Sequence, residues 1–239
     1  MHLVILLLFF SLSTFAVSRL GLETGFVHNA YNNQRIPGDE GTLFDMAPSF
    51  DDSNQFYRIN FVHQFNDRRG LRLLYAPLAL SGSKAFDEDI NFQGAVFSAN
   101  SPTKTEYRFN SYRLSYFYKI SGNKNWFLNL GGTLKVRDAK VQLQQNGTTK
   151  SKENVGLVPL VYLYSEYRWN SGMRMVLDFD GLVAPQGRAF DAALLIGSYI
   201  NRSTSINLGY RILEGGADND RVYNFSLFNY YVASVEFNF

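Results

Sequence analysis

The stretch "MRMVLDFDGLV", Met173 to Val183, can be laid out as a β-strand in two registers, and the choice between them decides the fold. One face carries Met173, Met175, Leu177, Phe179 and Val183; the other carries Arg174, Val176, Asp178, Asp180 and Leu182. Successive side chains of a strand point to opposite faces, so a slip of one residue exchanges the two sets. An Arg on the lipid face of a membrane barrel costs about 2–4 kcal/mol at mid-depth, and an Asp somewhat less. The first set therefore faces lipid and the charges face an enclosed lumen.

The same sorting works outward from this strand in both directions. Toward the C-terminus, Ile206, Leu208, Tyr210 and Ile212 oppose Asn207, Gly209 and Arg211. Toward the N-terminus, Leu157, Val161, Leu163, Tyr167 and Trp169 oppose Glu166 and Arg168. Further back, Tyr57, Ile59, Phe61 and Phe65 oppose Arg58, Asn60 and Gln64, and Leu20, Leu22 and Phe26 oppose Glu23. One strand is out of phase: Tyr107 and Phe109 do not share the parity of Tyr112, Leu114, Tyr116 and Tyr118, which predicts a bulge or a strand end above the bilayer.

Alternation of this kind predicts ten strands, near 19–29, 54–65, 69–80, 105–120, 125–142, 155–169, 172–183, 188–200, 203–213 and 222–239. The links between them are of two kinds. "NDRR" (66–69), "SGNK" (121–124), "NS" (170–171) and "NR" (201–202) are tight turns, whereas 30–53, 81–104, 145–154 and 214–221 read as longer polar links, with 184–187 short. Short links at one end and long ones at the other predict an all-β fold, a single up-and-down antiparallel transmembrane β-barrel in the bacterial outer membrane. An even strand number returns both termini to the periplasmic side. Tyr167, Trp169, Trp126, Phe65 and Phe237 fall at strand ends beside the short turns, where amphipathic rings form an interfacial girdle. A soluble lipocalin-like barrel would also alternate, but with its apolar face inward.

Composition agrees. Of 239 residues, 46% are apolar and 18% charged, with 15 Tyr, 21 Phe and no Cys, so disulfide and thiolate chemistry are excluded. The net charge of +2 comes from scattered Lys and Arg without a basic block, which argues against a nucleic-acid partner. "MHLVILLLFFSLSTFAVS" (1–18) reads as a signal peptide: its apolar run is far shorter than the ~20 residues of a spanning helix, and Ala16 and Ser18 offer a small-x-small cleavage pattern. Residues 19–239 then form one barrel domain.

The chain ends "YVASVEFNF" (231–239), and Tyr223, Phe225, Leu227, Tyr231, Ala233, Val235, Phe237 and Phe239 share the lipid-facing parity. This resembles the C-terminal signature of bacterial outer-membrane β-barrel proteins, a terminal Phe preceded by apolar or aromatic residues at alternate positions. The resemblance implies that Tyr231, Val235, Phe237 and Phe239 serve insertion, recognised by the barrel-assembly machinery, with outer-membrane lipid as the surrounding partner.

The inferred lumen carries Glu23, Arg58, Arg72, Arg113, Lys135, Arg137, Glu166, Arg168, Arg174, Asp178, Asp180, Asp191, Arg211 and Glu236. Opposite charges on neighbouring strands can satisfy one another, whereas an unpaired buried charge is costly. Barrels of about eight strands are filled by side chains and aqueous channels need about sixteen. Ten strands lined also by Phe117, Tyr162, Tyr164, Phe228 and Tyr230 therefore predict at most a constricted passage. Asp178 and Asp180 stand on one face about 7 Å apart by the strand rise. Paired aspartates in ten strands resemble the omptin outer-membrane proteases, but no Asp-x-His is present, and the mature histidines, His28 and His63, do not supply that family's base. No catalytic set, metal cluster or cofactor motif stands out. Link 29–50 contains Ile36, Leu43, Phe44 and Met46, which could pack as a cap over the mouth or present a contact surface. The expectation is a structural or surface-interaction barrel, with a narrow porin-like channel as the alternative and an omptin-like hydrolase behind it.

Overall fold

The computed structural model describes residues 17–239, so the expected signal peptide lies outside the described residues except for Val17 and Ser18. The strands, in chain order, are β1 (Val17–Arg35), β2 (Phe44–Asp45), β3 (Asn54–Gln64), β4 (Arg69–Ala76), β5 (Ala79–Ala85), β6 (Ile90–Phe92) and β7 (Ala95–Phe97). They continue with β8 (Pro102–Gly122), β9 (Trp126–Gln145), β10 (Thr148–Arg168), β11 (Met173–Ala184), β12 (Gly187–Tyr199), β13 (Thr204–Asn219) and β14 (Val222–Asn238). Neighbours in the chain pair antiparallel around the wall, and β14 pairs with β1 to close it. The result is an up-and-down barrel of ten wall strands, in which β4 and β5 act as one strand interrupted at Pro77. Proline has no N–H to donate, and Asn110 compensates by accepting from Leu78 N through its side chain at 3.3 Å.

Closure runs almost the full height of the wall. β1 and β14 pair from Arg19↔Asn238 to Arg35↔Tyr223, with one register shift between Asn29 and Tyr31. Below this, Ser18 and Phe239 exchange two backbone hydrogen bonds, Ser18 N→Phe239 O at 2.8 Å and Phe239 N→Ser18 O at 2.9 Å. Both described ends thus meet at the side of the short turns.

The wall sorts its side chains as the membrane argument requires. Met173, Met175, Leu177, Leu208, Tyr57 and Leu114 are exposed, while Arg174, Asp178, Asp180, Arg211, Arg58 and Arg113 are buried inside. Trp126 and Tyr167 stand directly opposite each other at the short-turn end, and Tyr167 packs edge-on against Trp169 at 5.1 Å. A second row of rings lies higher: Tyr57 meets Tyr75 at 6.1 Å, Tyr75 stacks on Tyr112 at 5.2 Å, and Tyr210 meets Tyr231 at 5.6 Å. Two aromatic levels enclosing an apolar band form the exterior of an outer-membrane barrel.

The structure departs from the expected elements in three places. Strands β8, β9 and β10 are much longer than the bilayer needs, so 145–154 is no loop: it is a tight hairpin turn at Asn146-Gly147, and 214–221 likewise turns only at Asp220-Arg221. Tyr107 and Phe109 need no bulge. They lie in unbroken register with β9 and point into the upper lumen, on the same face as Ser111 and Arg113. The register shift in β8 falls instead between Lys119 and Ser121. Finally, the mouth is roofed by the links 36–53 and 86–101 together. Ile36, Phe44, Met46, Phe86, Ile90, Phe92 and Phe97 form its buried core, while Leu43 stays exposed.

The roof is tied down on several sides. Gly38 N donates to Asp220 O at 3.0 Å, Met46 N to Asn32 O at 2.9 Å, and Gln93 N to Ile36 O at 3.1 Å. Gln145 holds it to β9, accepting from Ser98 N at 2.8 Å and donating to Thr103 at 2.8 Å. Gly82 is where the 3-10 turn Ala47–Ser49 rests on β5: a Cβ there would lie 1.7 Å from the Ser49 carbonyl oxygen.

Candidate functional site: the filled lumen

Inward parity on seven strands converges on one ionic layer at mid-lumen. Asp191 of β12 is its hub. One of its oxygens accepts from Arg113 at 2.6 Å and from both terminal nitrogens of Arg58 at 3.1 Å, and the other accepts from Arg211 at 2.5 Å. Asp180 accepts from Arg113 at 2.7 Å, from Thr133 at 2.6 Å, and from Arg72. Asp178 accepts from Arg72 at 2.9 Å and from Arg211 at 3.2 Å. Glu23 completes the layer, 2.9 Å from Arg211 and 3.3 Å from Arg58.

Four guanidinium groups therefore face four carboxylates, and the layer is neutral. Arginine suits this work because its rigid fork reaches two carboxylates at once without losing its charge. Neutral groups fill the remaining valences: Arg72 Nε donates to Ser115 at 3.1 Å, Ser115 bonds Thr133 at 2.6 Å, and Arg113 Nε donates to Ser111 at 2.9 Å. Arg72 also lies 4.0 Å over the Tyr162 ring, which packs on Phe117.

A second cluster lies nearer the short turns. Arg174 donates to Glu236 at 2.8 Å and to Ser205 at 2.8 Å. Glu166 accepts from Arg168 at 2.5 Å, from Tyr164 at 2.8 Å and from Tyr199 at 2.8 Å. Arg19 joins them by donating to Tyr164 at 2.6 Å.

The structure thus brings together twelve of the fourteen charged residues expected in the lumen, in two layers. It sets Lys135 and Arg137 apart. Both face inward from β9, Lys135 on the rung of Arg113 and Arg137 on the inward rung beyond it, and among the described residues neither makes an ion pair with a carboxylate; Lys135 Nζ lies 4.5 Å over the Phe109 ring and Arg137 donates to Asn154 at 2.5 Å. Arg19 was missed by sequence reasoning although it shares the parity of Glu23. Tyr164 was among the expected inward residues, whereas Tyr199 and the connecting Ser and Thr groups were missed because neutral side chains carry no signal of their own.

Asp178 and Asp180 do share a face, but each is engaged by arginines deep in the lumen rather than at a rim. His63 pairs with Ser18 Oγ at 3.0 Å, and His28 contacts the Asp52 carbonyl at 3.2 Å, both far from the aspartates. Among the described residues no group of acidic and histidine side chains is placed to hold a metal ion.

Above the layers the lumen is lined by Tyr107, Phe109 and Phe228. Tyr107 lies beyond the outer aromatic row, where burial pushes its hydroxyl up to about 12 against the opposing effect of its Ser226 hydrogen bond, so it stays neutral.

No family model matches the sequence, and no curated protein sequence matches it. Solved structures do. The outer membrane protease OmpT of Escherichia coli aligns at 11% identity and a TM-score of 0.55, covering 96% of this chain and 99% of that one. The attachment invasion locus protein Ail of Yersinia pestis, in complex with the heparin analogue sucrose octasulfate, aligns at 12% identity and a TM-score of 0.44, covering 93% and 99%. Neisserial surface protein A aligns at 13% identity and a TM-score of 0.37, covering 95% and 98%. At these identities the likeness is one of fold. The chain shares with the OmpT structure the fold of a closed antiparallel β-barrel, here of ten strands.

Proposed function

We propose that this outer-membrane barrel does not conduct, and that its roofed outer half works as a surface for interaction. The observation that carries the reading is the neutral mid-lumen layer, in which Glu23, Arg58, Arg72, Arg113, Asp178, Asp180, Asp191 and Arg211 bind one another across the bore. A selectivity lining needs charges free to meet a passing ion; these are consumed by each other. The lumen is a packed core, as expected for a narrow barrel.

The outer half supports the second part of the reading. β8, β9 and β10 rise beyond the bilayer as an arm, and the roof over the mouth buries apolar side chains continuous with those of the lumen. Extended strands with no membrane to span and no solute path to line are a platform for contact outside the cell. Asp178 and Asp180 serve here as counter-ions, so the reading assigns no hydrolysis.

Planar-bilayer recording tests it. Wild-type protein, shown inserted by its shifted gel migration before heating, is expected to give no unitary current at any voltage. Steady ion-selective steps would replace this reading with the narrow channel. Peptide or lipid turnover that disappears in Asp178→Asn/Asp180→Asn would replace it with a hydrolase.

A further inference from the structure

The barrel wall is not of even height. β10 pairs with β11 only from Arg168↔Arg174 up to Val161↔Gly181, and the β11–β12 hairpin turns back just beyond, at Ala184↔Gly187. From Leu160 to Thr148, β10 pairs with β9 alone. The wall therefore has a notch beneath the roof, with β10 on one side and the β11–β12 hairpin on the other. Pro159 sits in this open edge, where a residue without an N–H is tolerated. The rim is apolar: Val155, Leu157, Leu182 and Val183 are all exposed there.

Behind the notch is a cavity of about 280 Å³ in the outer lumen. Tyr107, Phe109, Leu157 and Leu182 line it together with three basic side chains, Lys135, Arg137 and Arg188. The Lys135 side chain is buried, and Arg137 Nε is buried without a hydrogen-bond partner. Arg188 and Glu214 also border the cavity, but they neutralise each other at 2.8 Å. Two basic side chains with no ion-pair partner among the described residues are costly to keep charged in a largely apolar pocket, and an anion entering the pocket offsets that cost.

We propose that this cavity binds a small anionic amphiphile, its carboxylate or phosphate head on Lys135 and Arg137 and its apolar tail lying toward the notch between β10 and β11–β12. A volume near the lower end of the ~300–1,000 Å³ typical of ligand pockets limits the ligand to a short or medium chain. The notch rim, apolar on both sides, gives the tail a way into lipid. The same head chemistry could come from a free amphiphile or from an anionic membrane lipid.

The test uses the whole barrel in phosphatidylcholine nanodiscs, titrated calorimetrically with decanoate, decanol and acetate, with empty discs subtracted. Decanoate is expected to bind at least about tenfold more tightly than decanol, because the head makes charge-assisted bonds, and far more tightly than acetate, because burial of the tail contributes. Lys135→Met and Arg137→Gln, each confirmed folded by heat-shifted migration, are expected to weaken decanoate about tenfold while Arg68→Gln in a short turn does not. Should one variant fail to fold, the other carries the test. Repeating the titration in phosphatidylglycerol discs separates the sources: suppressed decanoate binding identifies membrane lipid as the occupant, and unchanged binding identifies a free amphiphile. No decanoate binding in phosphatidylcholine, equal binding of decanol, or binding indifferent to both variants overturns the proposal. The binding readout is independent of conductance, so failure here leaves the sealed-lumen reading standing.

Discussion

Asp191 holds three guanidinium groups, from Arg58, Arg113 and Arg211, and lies on none of their strands. Asp191→Asn would leave those cations under-compensated in a desolvated lumen, and breaking a buried pair from one side costs about 3–5 kcal/mol. Denaturant unfolding in lipid vesicles, followed by Trp126 and Trp169 fluorescence, should show a loss of that order. Lys135 makes the opposite case. It is buried and has no ion pair among the described residues, so Lys135→Met should leave stability unchanged or raise it in the same assay. The two variants differ in sign although both remove one lumen charge. At this scale the sequence was informative about direction only: parity put Lys135, Arg137, Asp191 and Arg211 inside alike. Which of them found partners depends on what reaches each one across the bore: Lys135 shares a rung with Arg113, which pairs with Asp180 and Asp191, yet makes no ion pair itself among the described residues. A one-dimensional pattern does not record what lies opposite.

The Asn146-Gly147 turn shows what element-level reasoning can gain and lose. Both residues have positive φ, 48° and 84°, the conformation that a two-residue hairpin of type I′ requires and that Asn-Gly supplies most easily. That dipeptide was present to be read, yet the polar character of "QNGTTKSKEN" (145–154) favours a loop, because extended strands outside the bilayer no longer alternate apolar with polar. The wall strands were legible wherever lipid imposed the alternation and became illegible above it. An epitope inserted between Asn146 and Gly147 should leave the barrel folded and be bound by antibody on intact cells, whereas the same insertion at Asn201-Arg202 should be reached only after the outer membrane is permeabilised. The roof offers a second test. Gly82→Val has no room against Ser49, and overpacking of this kind costs typically ~1–3 kcal/mol. Limited proteolysis should then cut within 36–53 or 86–101 while the barrel retains its unheated gel position.

For the whole molecule, the decisive information was the division of most strands into an uncharged and a charged face, which pointed to a barrel of ten strands and to most of the charges in its bore. The terminal stripe added an expectation that Phe239 serves insertion. Deleting Phe239, or replacing it with Ala, should lower the fraction of heat-modifiable protein recovered from the outer membrane while the same variant still folds in detergent. What the pattern left out is the roof and the uneven rim, because both depend on which distant loops meet. The seam between β1 and β14 has a consequence in time. These two strands are the farthest apart in sequence, yet they match rung by rung from Arg19↔Asn238 upward. Bringing such distant segments together carries the largest loop-closure entropy in the chain and is the kind of pairing that slows folding. Without β14 the other strands can form an open curl of hairpins but have no partner with which to close it. The cylinder is thereby sealed by its slowest contact, and an unfinished barrel stays open along one edge.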